Sequence, residues 1–116
     1  ARVRAAEQRL NEAREAERNA RLEIEREVQT AFLAWRETSQ RTVVAEAAVA
    51  SAEEALRLVD VQYAAGSATI TRYLEAEAAA AAARSRAISA RYELRRAEAS
   101  LQKATGSWAK SEAGES

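Results

Sequence analysis

The chain has 116 residues, enough for one small domain, and its 18 basic and 18 acidic side chains leave no net charge. It has no Cys, His, Met or Pro and only three Gly. That composition removes zinc and thiol chemistry and the commonest general base, and it leaves few places to turn. Balanced charge argues against a nucleic-acid surface, which needs a basic excess on one face. No apolar run approaches the roughly 18 residues of a membrane helix. No cofactor is expected. Absence of Cys suits an oxidising compartment. The chain starts at Ala1 in mid-pattern, without a leader or Met, so it reads as part of something larger.

Ala, Glu and Arg dominate, and all three favour helix. Residues 1–27 interleave Arg and Glu. Pairs such as Arg14/Glu17 and Glu17/Arg21 fall at i,i+3 or i,i+4, each adding roughly 0.2–0.5 kcal/mol. This pattern is a solvated helix surface with a thin apolar stripe through Val3, Ala6, Leu10, Ala13, Ala20 and Ile24. From Val28 the stripe thickens into a coiled-coil seam in steps of three and four. It runs through Ala31, Trp35, Thr38, Thr42, Ala45, Val49, Ala52, Leu56, Val59 and Tyr63. A second apolar column, Val44, Ala47, Leu58 and Val61, appears toward the end of this stretch. One partner helix cannot cover both columns, so the segment from about residue 43 should sit between two neighbours. One helix over about residues 1–64 is roughly 95 Å long at about 1.5 Å per residue.

The break comes at about residues 65–68. Gly66 suits the left-handed position after a helix C-terminus. Thr69 is the best N-cap for the next helix and Ser67 a weaker one. Arg72 then falls three residues into that helix, where a capping box wants Glu or Gln and a cation is poorly placed. The second helix covers about residues 69–105. Its seam is Tyr73, Ala76, Ala80, Ala83, Ala87, Ala90, Leu94, Ala97, Leu101 and Ala104, and a further stripe runs Leu74, Ala78, Ala81, Ser85, Ile88, Tyr92. Small seam residues let helices approach near the low end of roughly 8–10 Å. Gly106 is expected to end this helix. Residues 107–116 read as a short polar tail that frays, with Trp108 its one anchor. The fold class is therefore all-α, a long antiparallel two-helix coiled-coil hairpin. Folding at Gly66 sets Thr105 opposite Glu27 and leaves residues 1–26 without a partner from this chain.

An ordered set of residues gives a resemblance. Ala31-Phe32 with Trp35 is followed by Ala52-Glu53-Glu54-Ala55-Leu56. Then come Tyr63, Gly66 and Thr69, Arg72-Tyr73-Leu74-Glu75-Ala76, Ala90-Arg91-Tyr92, Leu101 and Gly106. Over roughly residues 1–106 the chain resembles the second periplasmic hairpin of TolC-type outer-membrane efflux proteins. The resemblance implies a trimer whose hairpins form a helical barrel across the periplasm of a Gram-negative cell. It implies a membrane contact only through a β-barrel that this chain lacks. It also implies a hairpin tip that meets a periplasmic adaptor protein linked to an inner-membrane pump. On that basis Tyr63, Gly66, Ser67, Thr69 and Leu74 are candidates for the tip and its adaptor surface. Arg72 and Glu75 are candidates for the tunnel entrance. Family members often carry acidic residues at both of these places; Glu75 keeps that charge and Arg72 reverses it. At i,i+3 the pair can bridge within or between protomers or stay solvated.

The expected role is a conduit and docking element for efflux or type I secretion, not an enzyme. The alternative is a generic coiled-coil scaffold or adaptor hairpin for protein–protein assembly. That alternative predicts one apolar face per helix, against which the second columns argue. An interfacial lipid-binding helix would want large apolar residues opposite a basic face. Neighbouring carboxylates such as Glu53/Glu54 read as solvated.

Overall fold

The computed structural model of the chain describes residues 2–114. Two helices, α1 (Arg2–Ala64) and α2 (Ile70–Ala113), run antiparallel as a coiled-coil hairpin. The chain divides into two compact units. One joins α1 up to Ala34 with α2 from Glu98, and the other is Trp35–Ala97.

In Trp35–Ala97 the residues that lose solvent follow the seams read from the spacing. On α1 they are Trp35, Thr38, Thr42, Ala45, Val49, Ala52, Leu56 and Val59, with Ser39 beside them. On α2 they are Tyr73, Ala76, Ala80, Ala83, Ala87, Ala90, Leu94 and Ala97. The division of bulk is unequal. α1 supplies Trp, Val and Leu, whereas the most deeply buried positions are the alanines of α2, with Ala80 at 0% exposure. A methyl group is all that separates these backbone positions from the facing helix. The Thr42 hydroxyl shows how close the helices come: it lies 2.8 Å from the Thr38 carbonyl of its own helix and 3.3 Å from the Ala90 carbonyl of the other. So short a side chain reaches a facing backbone only where the seam residues are small.

Ion pairs flank this seam on both sides. Glu46 and Glu53 accept from Arg91 and Arg84, each at 3.0 Å, and Arg41 reaches Glu93 at 3.3 Å and Glu37 at 3.0 Å. These groups are about half exposed, so each pair contributes at most about 1 kcal/mol; their geometry fixes register more than stability. The second apolar columns stay in solvent. Val44, Leu58 and Val61 of α1, and Leu74, Ile88 and Tyr92 of α2, are between 49% and 69% exposed.

In the other unit the seam continues through Ile24, Val28 and Ala31 of α1 and through Leu101, Ala104, Ser107 and Trp108 of α2. Every described residue from Arg2 to Glu23 is exposed. Here the structure corrects the sequence reading. Gly106 does not end α2, and residues 107–113 are helix rather than a fraying tail. Gly106 lacks the positive φ that a terminating glycine adopts; among the described glycines only Gly66 has it. A glycine inside a helix costs about 1 kcal/mol relative to Ala. The half-burial of Ser107 and Trp108 just beyond, continuing the steps of three and four, offsets that cost. Because α2 runs on, shielding extends to Ile24, and the uncovered part of α1 is shorter than the expected residues 1–26. Glu115 and Ser116, the end of the expected tail, lie outside the described residues.

Candidate functional site

The turn between the helices collects most of the residues singled out from the sequence. α1 stops by pairing its last carbonyls with the turn itself. Gly66 N–H donates to the Tyr63 carbonyl at 3.0 Å and Ser67 N–H to the Gln62 carbonyl at 2.8 Å, the paired bonds of a Schellman motif. That motif needs a left-handed residue at its centre, and Gly66 supplies it with φ 80°. The Gln62 carbonyl also receives the Ala68 N–H at 3.2 Å and the Ser67 hydroxyl at 3.0 Å. Ser67 thus closes α1 and does not cap α2. The cap is Thr69, whose Oγ1 accepts from the Arg72 N–H at 3.2 Å.

Arg72 and Glu75 are both exposed, and neither has an ion pair among the described residues. Their i,i+3 spacing does not bring them together in the single chain. Leu74 is 54% exposed. Tyr63 is partly open too, but its ring stacks on Tyr73, with centroids 5.3 Å apart and planes 28° apart. This stack closes the seam beside the turn, and offset aromatic pairs of this kind add about 0.5–1.5 kcal/mol beyond their burial. The sequence reading placed both tyrosines in seams without pairing them. Their positions, ten residues apart around a turn centred near residue 68, were the available signal.

One flank of the tip has a mismatched rung. Glu46, Glu53 and Asp60 recur at seven-residue steps on α1, and Arg91, Arg84 and Glu77 recur at the same step on α2. The first two rungs are ion pairs; the third sets two carboxylates on facing helices. Tyr73 relieves it in part. Its phenol bonds to the Glu77 carboxylate, and that bond raises the phenol pKa above the ordinary tyrosine value. The Glu77 charge, desolvation, and the nearby Asp60 and Tyr63 act in the same direction. On the outer surface Glu54 holds Arg57 by two bonds, at 2.7 and 3.0 Å, which keep the Glu54 carboxyl below its usual range.

The hollows on the hairpin flanks are open and shallow. One of about 480 Å³ is lined by Leu56, Leu74, Glu77, Ala78, Ala81 and Arg84. Another, of about 440 Å³, lies on the opposite flank and includes Arg41, Val44, Ala48, Arg86 and Ser89. Among the described residues no cluster of three or more His, Cys, Asp or Glu could hold a metal ion. No helix among them is long and apolar enough to cross a membrane. What the tip offers is surface: exposed side chains on a rigid, well-capped turn.

Residues 1–107 match the family described as outer membrane efflux protein. No curated protein and no solved structure matches the chain.

Two measurements test this geometry. Gly66 and Gly106 both have open space where a Cβ would stand, so backbone conformation alone decides the effect of adding one. Gly66→Ala should lower stability by about 1–2 kcal/mol, the cost of a left-handed Ala. Gly106→Ala should raise it by about 0.5–1 kcal/mol. Thermal unfolding followed by circular dichroism reads both, and effects of the same sign would contradict the assigned backbone. The second test is a phenolate titration. A raised folded pKa means that the Tyr73 bond stabilises the fold fully below the unfolded tyrosine pKa of about 10. That contribution is lost as pH rises through the folded value. Glu77→Gln should therefore move the latest-titrating phenolate absorbance to lower pH; an unchanged curve would remove Glu77 as the cause.

Proposed function

Because the chain belongs to the outer membrane efflux protein family, we propose that it forms a periplasmic tunnel hairpin of a trimeric outer-membrane channel. It serves efflux or type I secretion, and its tip docks a periplasmic adaptor coupled to an inner-membrane pump. The channel is a conduit and carries no catalytic group in this segment. In this reading Tyr63, Gly66, Ser67, Thr69 and Leu74 shape the docking surface, and Arg72 and Glu75 face the tunnel entrance.

The observation that carries the reading is the pair of exposed apolar columns. A free-standing hairpin needs one seam per helix. Here α1 presents Val44, Leu58 and Val61, and α2 presents Leu74, Ile88 and Tyr92, to solvent and away from their shared seam. A helix that is apolar on two sides belongs between two neighbours, as in a wall of helices. The generic-scaffold reading leaves these columns unexplained. The tip supports docking in a different way. Its turn hydrogen bonds are satisfied internally, so Ser67, Thr69 and Leu74 hold a fixed surface rather than a loose loop.

The test uses the parent channel in cells. Thr69→Asp keeps a capping oxygen but adds a charge to the tip, and Gly66→Pro breaks the left-handed turn. With channel trimers at normal levels, both should lower pump-dependent resistance and adaptor cross-linking by about tenfold or more. Unchanged resistance and cross-linking would remove the docking role.

A further inference from the structure

The two flanks of the Trp35–Ala97 unit carry opposite charge imbalances. On one, Glu46, Glu53 and Asp60 face Arg91, Arg84 and Glu77; both arginines are paired, and carboxylates are in excess. The other flank starts from the Arg41–Glu93 pair at 3.3 Å. Seven-residue steps from that rung set Ala48 level with Arg86, Ala55 with Ala79, and Gln62 with Arg72. Arg86 and Arg72 are exposed and make no ion pair among the described residues. Two heptads of α2, about 21 Å, separate them. Cations are therefore in excess on this flank.

Beside Arg86 the small residues of both helices leave a groove of about 440 Å³. Methyl groups of Ala45, Ala48, Ala83 and Ala90 line it, and Val44 adds apolar bulk on the α1 side. Ser85 and Ser89 bring hydroxyls to the α2 side with Arg86. Glu93 is the one carboxylate in the lining, and Arg41 holds it. A guanidinium without a counter-ion, two hydroxyls and a methyl-lined floor together fit an organic anion with an apolar body. Its sulfonate or carboxylate meets Arg86 through charge-assisted bonds, and its body covers the floor. An organic cation finds no uncommitted carboxylate here.

We propose that this groove is a binding site for an amphipathic organic anion, held by Arg86. That such anions are a cargo of the channel rests on the reading that Arg72 faces the tunnel entrance, because Arg86 continues the same flank of α2 inward from it.

Fluorescence titration of the purified chain with anilinonaphthalene sulfonate, beside the same dye lacking the sulfonate, tests the site. The wild type should bind the sulfonate with a Kd of about 1 mM or tighter, and the uncharged dye at least about tenfold more weakly. Arg86→Gln should weaken sulfonate binding at least about fivefold. Ala48→Glu, which sets a carboxylate level with Arg86, should weaken it by at least about as much. Arg36→Gln removes an exposed charge about 18 Å along α1 from Ala48 and should change binding by less than about twofold. All three positions are exposed, so circular dichroism should report an intact helical hairpin in each variant. No sulfonate binding, equal binding of the uncharged dye, or sulfonate binding that Arg86→Gln or Ala48→Glu leaves unchanged would overturn the site. So would an equal loss in Arg36→Gln. The cargo assignment is read in the parent channel. There Arg86→Gln should lower resistance to dodecyl sulfate at least about fourfold and leave resistance to dodecyltrimethylammonium unchanged. Equal loss of both, or loss of neither, would remove that assignment. The tip variants Thr69→Asp and Gly66→Pro should lower both resistances, so failure of docking and failure of anion binding are separate results.

Discussion

The close approach of two backbones along the alanine seam of α2 is the constraint on which the rest of the hairpin depends. Ala80, Ala83 and Ala87 are among the most buried residues, yet each contributes only a methyl group. Burying a methyl yields about 0.8 kcal/mol, so these positions matter less for their transfer energy than for the spacing they permit. That spacing brings the Thr42 hydroxyl to the Ala90 carbonyl and lets paired Arg and Glu side chains span the flanks. It also uses up little apolar bulk. The larger Val, Leu, Ile and Tyr side chains of the second columns are left free to face outward.

Three surfaces therefore have three distinct tasks. The seam holds the two helices together. The flanks set register through ion pairs that end, at the tip, in the facing carboxylates of Asp60 and Glu77 with Tyr73 between the helices. The outer edges carry the exposed apolar columns, which the proposed function assigns to neighbouring helices. The tip joins these surfaces: a Schellman stop at Gly66, a Thr69 cap and a tyrosine stack make it rigid without burying it. Arg72 remains the residue that fits its own helix least well. Its N–H is capped by Thr69, while its guanidinium sits exposed near the positive end of α2 with no ion pair among the described residues.

Much of this was legible in the sequence because a coiled-coil seam repeats. From Val28 to Val59 and from Tyr73 to Ala104, steps of three and four identify the positions that lose solvent. Gly66 and Thr69 were legible because a left-handed stop and an N-cap each demand a narrow set of residues. Gly106 misled for a related reason. A glycine stops a helix only if it takes the left-handed conformation, and residue type alone does not decide that when Trp108 can continue the seam. The tyrosine stack and the Asp60/Glu77 mismatch depend on which residues stand level across the turn. Periodicity within one helix does not contain that information; it needs the register that the turn fixes. The docking role proposed for the tip rests on the family resemblance and not on periodicity, since side chains such as Leu74 and Arg72 would be exposed on any capped turn.

Thermal unfolding of Ala80→Leu beside Ala81→Leu tests the central claim most directly. The two changes add the same atoms one residue apart, one in the fully buried seam and one on the exposed column. If the alanine seam sets the helix spacing, Ala80→Leu should destabilise the chain by about 1–3 kcal/mol through overpacking. Ala81→Leu should stay within about 0.5 kcal/mol of the parent. An Ala80→Leu chain as stable as the parent, or more so, would show that the helices can move apart freely and that the seam does not hold them.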